Sequence, residues 1–205
     1  KMQGRISQKR RKTSETEMYV KLNIDGTEER KIDTGIGLLD HMLDLFAYWG
    51  HFDLEVVVKK GDLNIDIHHT NEDVGIVLGD VFKEALGDKK GINRFGSSSV
   101  PMEDTVASVA LDISGRGFFS GIKSPLTQEL HFQKQDGYSF EYANHFFEAF
   151  AKRMGMNLDI SLSGLKPDLH TNLEPVFKAL GIALDLATQI DPRRKGVPST
   201  KGVID

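Results

Sequence analysis

Seven histidines have the widest chemical reach in this chain, because it contains no cysteine. Without thiolates there is no disulfide, thiolate zinc site, iron–sulfur cluster or cysteine nucleophile, so metal or proton chemistry falls to His, Asp and Glu. His68 and Glu72 are four residues apart, and His69 and Glu72 are three apart. At a helix start either pair projects from one face and can hold a divalent ion. His170 and Glu174 repeat the four-residue spacing. An ion held by such groups is one that accepts nitrogen and oxygen, such as Mn, Fe, Co or Zn. Read alone, HHxxE also fits a surface helix cap with a weak ion pair.

That spacing gains weight because the chain repeats itself. Asp40–Val58 aligns without a gap onto Asn144–Leu162 at an offset of 104 residues, pairing His41 with His145, Asp44 with Glu148, Phe46 with Phe150 and Leu54 with Leu158. HHTNED at His68–Asp73 aligns with HTNLE at His170–Glu174 at an offset of 102, two residues having been lost in the loop between. A second His/Glu pair and two further helical histidines at equivalent places point to two similar metal sites related by internal pseudo-symmetry. Their candidate ligands are His41, His68, His69, Glu72, His145, His170 and Glu174. His51 and His131 lie outside the pattern and read as surface histidines.

The elements that must position these groups follow from periodicity. In each copy the apolar spacing is first helical, as in Leu39, Met42, Leu43 and Phe46, and then alternates, as in Phe52, Leu54 and Val56. Each copy of the HxxxE segment runs into an amphipathic helix, carried by Val74, Val77, Leu78, Val81 and Phe82 in one half and Val176, Phe177, Leu180, Ala183 and Leu184 in the other. Strands are expected at Met18–Ile24, Glu55–Lys59 and Thr105–Ser114. The fold class is therefore α+β, an internally duplicated unit in which each half is a mixed β-sheet with helices packed on one face. Half of the chain alone would bury only a marginal core, so residues 1–205 are expected to form a single catalytic body of two halves, about 1–92 and 93–205.

With 39% hydrophobic and 27% charged residues the chain of 205 is of globular type, and extended disorder is excluded. A formal charge of -4 gives no general attraction to nucleic acid or anionic lipid, so an anion site must be local. The basic stretch Lys1–Lys12 is followed by Thr-Ser-Glu-Thr-Glu rather than an apolar run, and no stretch approaches the roughly 18 apolar residues of a membrane span. The expectation is a soluble, cytoplasmic protein, or a plastid one if a transit peptide was removed. There is no P-loop, no dinucleotide fingerprint and no Ser-His-Asp arrangement.

Eight motifs resemble the imidazoleglycerol-phosphate dehydratase family over nearly the whole chain: KTSET (12–16), DTGIGLLDHML (33–43), HHTNEDVGIVLG (68–79), INRFGSSSVPMED (92–104), DISGR (112–116), HFFEAFA (145–151), EPVFKALG (174–181) and VPSTKGV (197–203). The resemblance implies a hydro-lyase of histidine biosynthesis that converts D-erythro-imidazoleglycerol phosphate to imidazoleacetol phosphate. It further implies two Mn²⁺ ions per active site with ligands from neighbouring subunits, a homo-oligomer of twenty-four chains, and a ligand set that coincides with the seven residues named above. By the same resemblance Glu15 is the general acid/base, and Arg94, Arg116, Lys178, Ser199 and Lys201 hold the substrate phosphate. Thr171 departs from the family pattern by standing where the second histidine of the second HHxxE is expected, after a Gly164–Leu169 loop longer than the resemblance implies, whose Asp168 offers a replacement oxygen. Asn64 and Ile67 replace the usual His and Asp. These departures predict one tight and one weak metal, and they raise the alternative of a non-catalytic or impaired relative with a degenerate second site. A two-metal phosphate-ester hydrolase is a further alternative.

Overall fold

Alternation of apolar and polar residues decides which strand face is buried. In the computed structural model, which describes residues 4–204, the first half forms a four-stranded sheet of β1 (Ile6–Lys12), β2 (Glu17–Asn23), β3 (Arg30–Asp33) and β4 (Asp53–Lys60) in the order β1-β2-β4-β3. Its neighbours are antiparallel except β3, which runs parallel to β4. Met18, Val20 and Leu22 of β2 and Leu54 and Val56 of β4 point inward and are buried. Two helices cover that face, α1 (Gly37–Trp49) and α2 (Ile67–Leu86).

The second half repeats the plan. β5 (Phe95–Met102), β6 (Thr105–Asp112) and a later strand, β9 (Asn157–Ser163), form an antiparallel sheet in the order β5-β6-β9. Residues 118–123 bridge to β9 in parallel at Phe118 and Lys123, in the place that β3 takes in the first half. A short helix α3 (Thr127–His131) and a small hairpin of β7 (Lys134–Gln135) and β8 (Tyr138–Ser139) precede α4 (Phe140–Met154), and α5 (Leu169–Thr188) closes the half. The duplicated α+β architecture expected from the sequence is the one observed.

The halves meet through their helices, and each crossing pairs one half with the other: α2 packs on α4, and α1 on α5. Glycine makes both crossings close. A Cβ at Gly79 of α2 would stand 2.8 Å from the Phe150 carbonyl of α4, and one at the equivalent Gly181 of α5 would stand 2.4 Å from the Phe46 carbonyl of α1. Phe46 and Phe150, partners in the repeat, meet edge to face with centroids 6.2 Å apart. Equivalent aspartates cap the two long helices, Asp66 accepting from the His68 N–H and Asp168 from the Thr171 N–H.

β1 was not expected, because its sequence ISQKRRK carries no apolar alternation. Its inward residues are Ser7, Lys9 and Arg11, which meet acids on α2. Lys9 Nζ lies 2.9 Å from Asp80, Arg11 Nε donates to Asp73 over 2.9 Å, and Ser7 bonds Glu84. Burial pushes the Asp80 carboxyl up, but hydrogen bonds from Arg153 and Lys9 outweigh it and hold the group below the usual carboxylate range. Charges on the inner face of an edge strand also discourage pairing with another sheet.

Candidate metal centre

The helix crossings bring together histidines that lie far apart in sequence. On one side, His41 of α1 meets His170 and Glu174 of α5. His170 Nε2 is 2.9 Å and His41 Nε2 3.5 Å from Glu174 Oε2, the two rings are 4.8 Å apart, and one potential ligand atom from each residue lies within 4.8 Å of the others. On the other side, His145 of α4 meets His68 of α2. Their Nδ1 atoms are 3.2 Å apart, and His68 Nε2 is 3.3 Å from Glu72. A cavity of about 270 Å³ opens beside them, bordered by His68, Glu72, His145, Glu148 and Lys152. The two sets are equivalent under the repeat, and each takes one histidine from one half and a His/Glu pair from the other.

His69 stands apart from this pairing. Sequence spacing groups it with His68 and Glu72, but consecutive helix residues point about 100° apart, and its ring turns to the loops. His69 Nδ1 is 2.6 Å from Asp62 and 3.5 Å from Glu15, and these three form a further group whose ligand atoms lie within 4.8 Å of one another. Glu15, expected from resemblance to move protons, is thus beside a candidate ligand, in the exposed β1–β2 turn. The bond between Asp62 and His69 holds the carboxyl below its ordinary range and raises the imidazole above its own. No periodic signal in the sequence links Asp62 to His69, since it lies seven positions earlier and only the fold of the β4–α2 loop joins them.

Glu174 sits in a richer field. Burial pushes its carboxyl up, but hydrogen bonds from Lys178 and His170 outweigh this and hold it below the usual value. Lys178 Nζ is 2.6 Å from Glu174, so of the five expected phosphate contacts only Lys178 reaches a histidine cluster. Arg94 forks onto Asp112 over 2.6 and 3.0 Å and donates to the Pro198 carbonyl, tying the C-terminal segment with Ser199 and Lys201 to the second sheet. Arg116 is exposed after β6. Among the described residues, no hydrogen bond or ion pair joins Arg94, Arg116, Ser199 or Lys201 to the histidines. Asp168, expected as a substitute ligand, uses one carboxylate oxygen as the α5 cap. Ile67 packs against the core and Asn64 is exposed. His51 and His131 are exposed and pair with Glu28 and Glu141.

Imidazoles and carboxylates converging without thiolates fit a divalent cation that takes nitrogen and oxygen ligands. Fold and site together define a duplicated α+β protein with two repeat-equivalent histidine clusters, of which His41, His170 and Glu174 bring one ligand atom each within 4.8 Å of the others. A profile of the imidazoleglycerol-phosphate dehydratase family matches residues 34–184. The chain is 50% identical over 194 residues to the imidazoleglycerol-phosphate dehydratase of Pelobacter propionicus, covering 95% of this chain and 96% of that one. It is 48% identical over 200 residues to the enzyme of the same name from Thermoanaerobacter sp. strain X514, covering 98% and 100%. The crystal structure of imidazoleglycerol-phosphate dehydratase from Staphylococcus aureus superposes with a TM-score of 0.76 at 31% identity, covering 91% of this chain and 99% of that one. That from Pyrococcus furiosus also gives 0.76, at 29% identity and 95% and 99% coverage. The chain belongs to the imidazoleglycerol-phosphate dehydratase family.

Proposed function

We propose that this chain dehydrates D-erythro-imidazoleglycerol phosphate to imidazoleacetol phosphate, as a metal-dependent hydro-lyase of histidine biosynthesis in the cytoplasm. The observation that carries the reading is the pair of equivalent His, His and Glu clusters, each assembled across the two halves. His41, His170 and Glu174 hold one cation of Mn²⁺ type, and His68, Glu72 and His145 another, with His69 adding a ligand from an exposed face. Such cations supply Lewis-acid polarisation of the substrate's imidazole ring, which has no carbonyl beside it to accept developing charge. The hydroxyl on the ring-bearing carbon leaves as water, and the proton it takes is balanced by the one that the second hydroxyl gives up when the enol becomes the ketone. Glu15 takes the hydrogen from the neighbouring side-chain carbon and delivers a proton to the ring-bearing carbon as the enol becomes the ketone. Arg94, Arg116, Lys178, Ser199 and Lys201 hold the phosphate, where guanidinium forks and ammonium groups suit a dianion.

In this proposal residues 1–205 act as one catalytic body of two halves, with two Mn²⁺ per active site. His69 and Glu15 lie on an exposed face, half-open to solvent, which supports completion of each site by neighbouring copies in a shell of twenty-four. The test is an assay of purified protein with added Mn²⁺. Formation of imidazoleacetol phosphate, abolished by chelation and restored by Mn²⁺, is expected, together with a large particle in light scattering. No product, or phosphate release instead, would overturn the reading.

A further inference from the structure

His69 and Thr171 hold equivalent positions in the first turns of α2 and α5, and their surroundings differ in one informative respect. In the first half the loop before the helix carries Asp62, whose side chain is only 7% exposed. One of its oxygens accepts from Thr70 Oγ1 over 3.1 Å, and the other faces His69 Nδ1 over 2.6 Å. In the second half the positions matching Asp62 at offsets of 102 to 104 are Gly164, Leu165 and Lys166, and the acid of that loop, Asp168, is the equivalent of Asp66 and caps α5. That loop is nevertheless fastened to its helix. Asn172, the equivalent of Thr70, accepts from the Lys166 N–H over 2.9 Å and donates to the Lys166 carbonyl over 2.8 Å. Closing the loop therefore does not require an acid at the Asp62 position, and an acid stands there only in the half that has the histidine.

We propose that Asp62 is a positioning residue for His69: its carboxylate holds the ring with Nδ1–H inward and leaves Nε2 unprotonated and presented to a divalent cation. The proposal rests on the reading of His69 as a metal ligand. A carboxylate only accepts, so the ring nitrogen facing it carries the hydrogen, and the opposite nitrogen of the neutral ring is then free to bind metal. The same bond separates His69 from Glu15. With Nδ1 engaged by Asp62 at 2.6 Å, Glu15 stays at 3.5 Å, and its carboxylate remains available to move protons instead of being held by the imidazole.

The test is a double-mutant cycle read by Mn²⁺ titration calorimetry on the full chain, using Asp62→Ala, Asp62→Asn, His69→Ala and the doubles. Asp62→Ala is expected to weaken the Mn²⁺ event to which His69 contributes by about 10–100-fold. Asp62→Asn, which keeps the volume and the Thr70 partner, should weaken it less, and neither change should weaken it further in the His69→Ala background. A loss of equal size in that background would show that Asp62 acts on its own, as a ligand or through the fold, and would overturn the proposal, as would parent affinity in Asp62→Ala. Should Asp62→Ala fail to fold, Asp62→Asn carries the same cycle. Parent affinity in His69→Ala is a different result: it would overturn the ligand reading itself and the role of Asp62 with it.

Discussion

At the open end of the first half, the β1–β2 turn carries Glu15 within 3.5 Å of His69. At the same place in the second half, the β5–β6 turn carries Glu103 and Asp104, and both are ion-paired with Lys166 of the loop before α5. An acid beside a histidine in one half is matched by acids neutralised by a lysine in the other. The same divergence runs along the inner faces of the edge strands. β1 meets α2 through Lys9, Arg11, Asp73 and Asp80, whereas β5 lies so close to α5 that a Cβ at Gly96 would stand 1.8 Å from the Ala183 carbonyl. The halves retain the glycine crossings and aspartate caps that packing demands, and with them the His/Glu rows at the helix starts. Exposed turns carry little packing, so they diverged without cost to the fold, and the acid/base chemistry is proposed to reside in only one of them.

The largest expected effect tests that assignment. Glu15→Gln is predicted to lower turnover by about 10²–10⁴-fold, the range of a general acid/base, with Mn²⁺ binding intact, whereas Glu103→Gln is predicted to leave turnover near the parent value. Steady-state rates for both variants decide it, and equal losses would erase the distinction between the halves.

The second effect concerns Thr171. A hydroxyl is a poorer ligand than imidazole, so a metal titration of the parent is predicted to show one tight and one weak event per chain. Thr171→His should tighten the weak event by at least the roughly 10–100-fold that even indirect changes at metal sites produce. Two equally tight events in the parent would contradict the prediction.

A third test addresses the ionic layer. Asp80→Asn is predicted to cost about 1–3 kcal/mol in stability at neutral pH by removing the acceptor of Arg153 and Lys9. Because the folded carboxyl titrates below its unfolded value, this contribution is present above the unfolded pKa and disappears as pH falls through the folded one. The melting temperatures of parent and variant should therefore differ at pH 7 and converge in acid.

The smallest effects concern the two helix caps, and Asp66 should show the larger of them because it also accepts from the Tyr142 hydroxyl over 2.5 Å. Asp66→Ala and Asp168→Ala each remove a helix cap and are predicted to cost about 0.5–2 kcal/mol, measured by denaturant unfolding. Asp168→Ala should leave Mn²⁺ affinity unchanged, and a weakened metal would return Asp168 to the ligand set.

Much of this organisation was legible in the residues themselves. A gapless repeat carries over the whole helix-then-strand pattern, and the intervals from His68 to Glu72 and from His170 to Glu174 specify which side chains share a helix face, because helical geometry is local. The sequence by itself determined the duplication, the helix faces, the absence of thiolates and the family. Only the tertiary structure decided that each cluster takes its third residue from the opposite half, since which helices cross is set by packing between segments far apart in sequence, His68 and His145 being 77 positions apart. It also decided that His69 turns from Glu72 to Asp62 and Glu15, a matter of loop geometry with no periodic signal. And it decided that the polar segment ISQKRRK is a strand, because the acids that pair with it lie on a helix some seventy positions later.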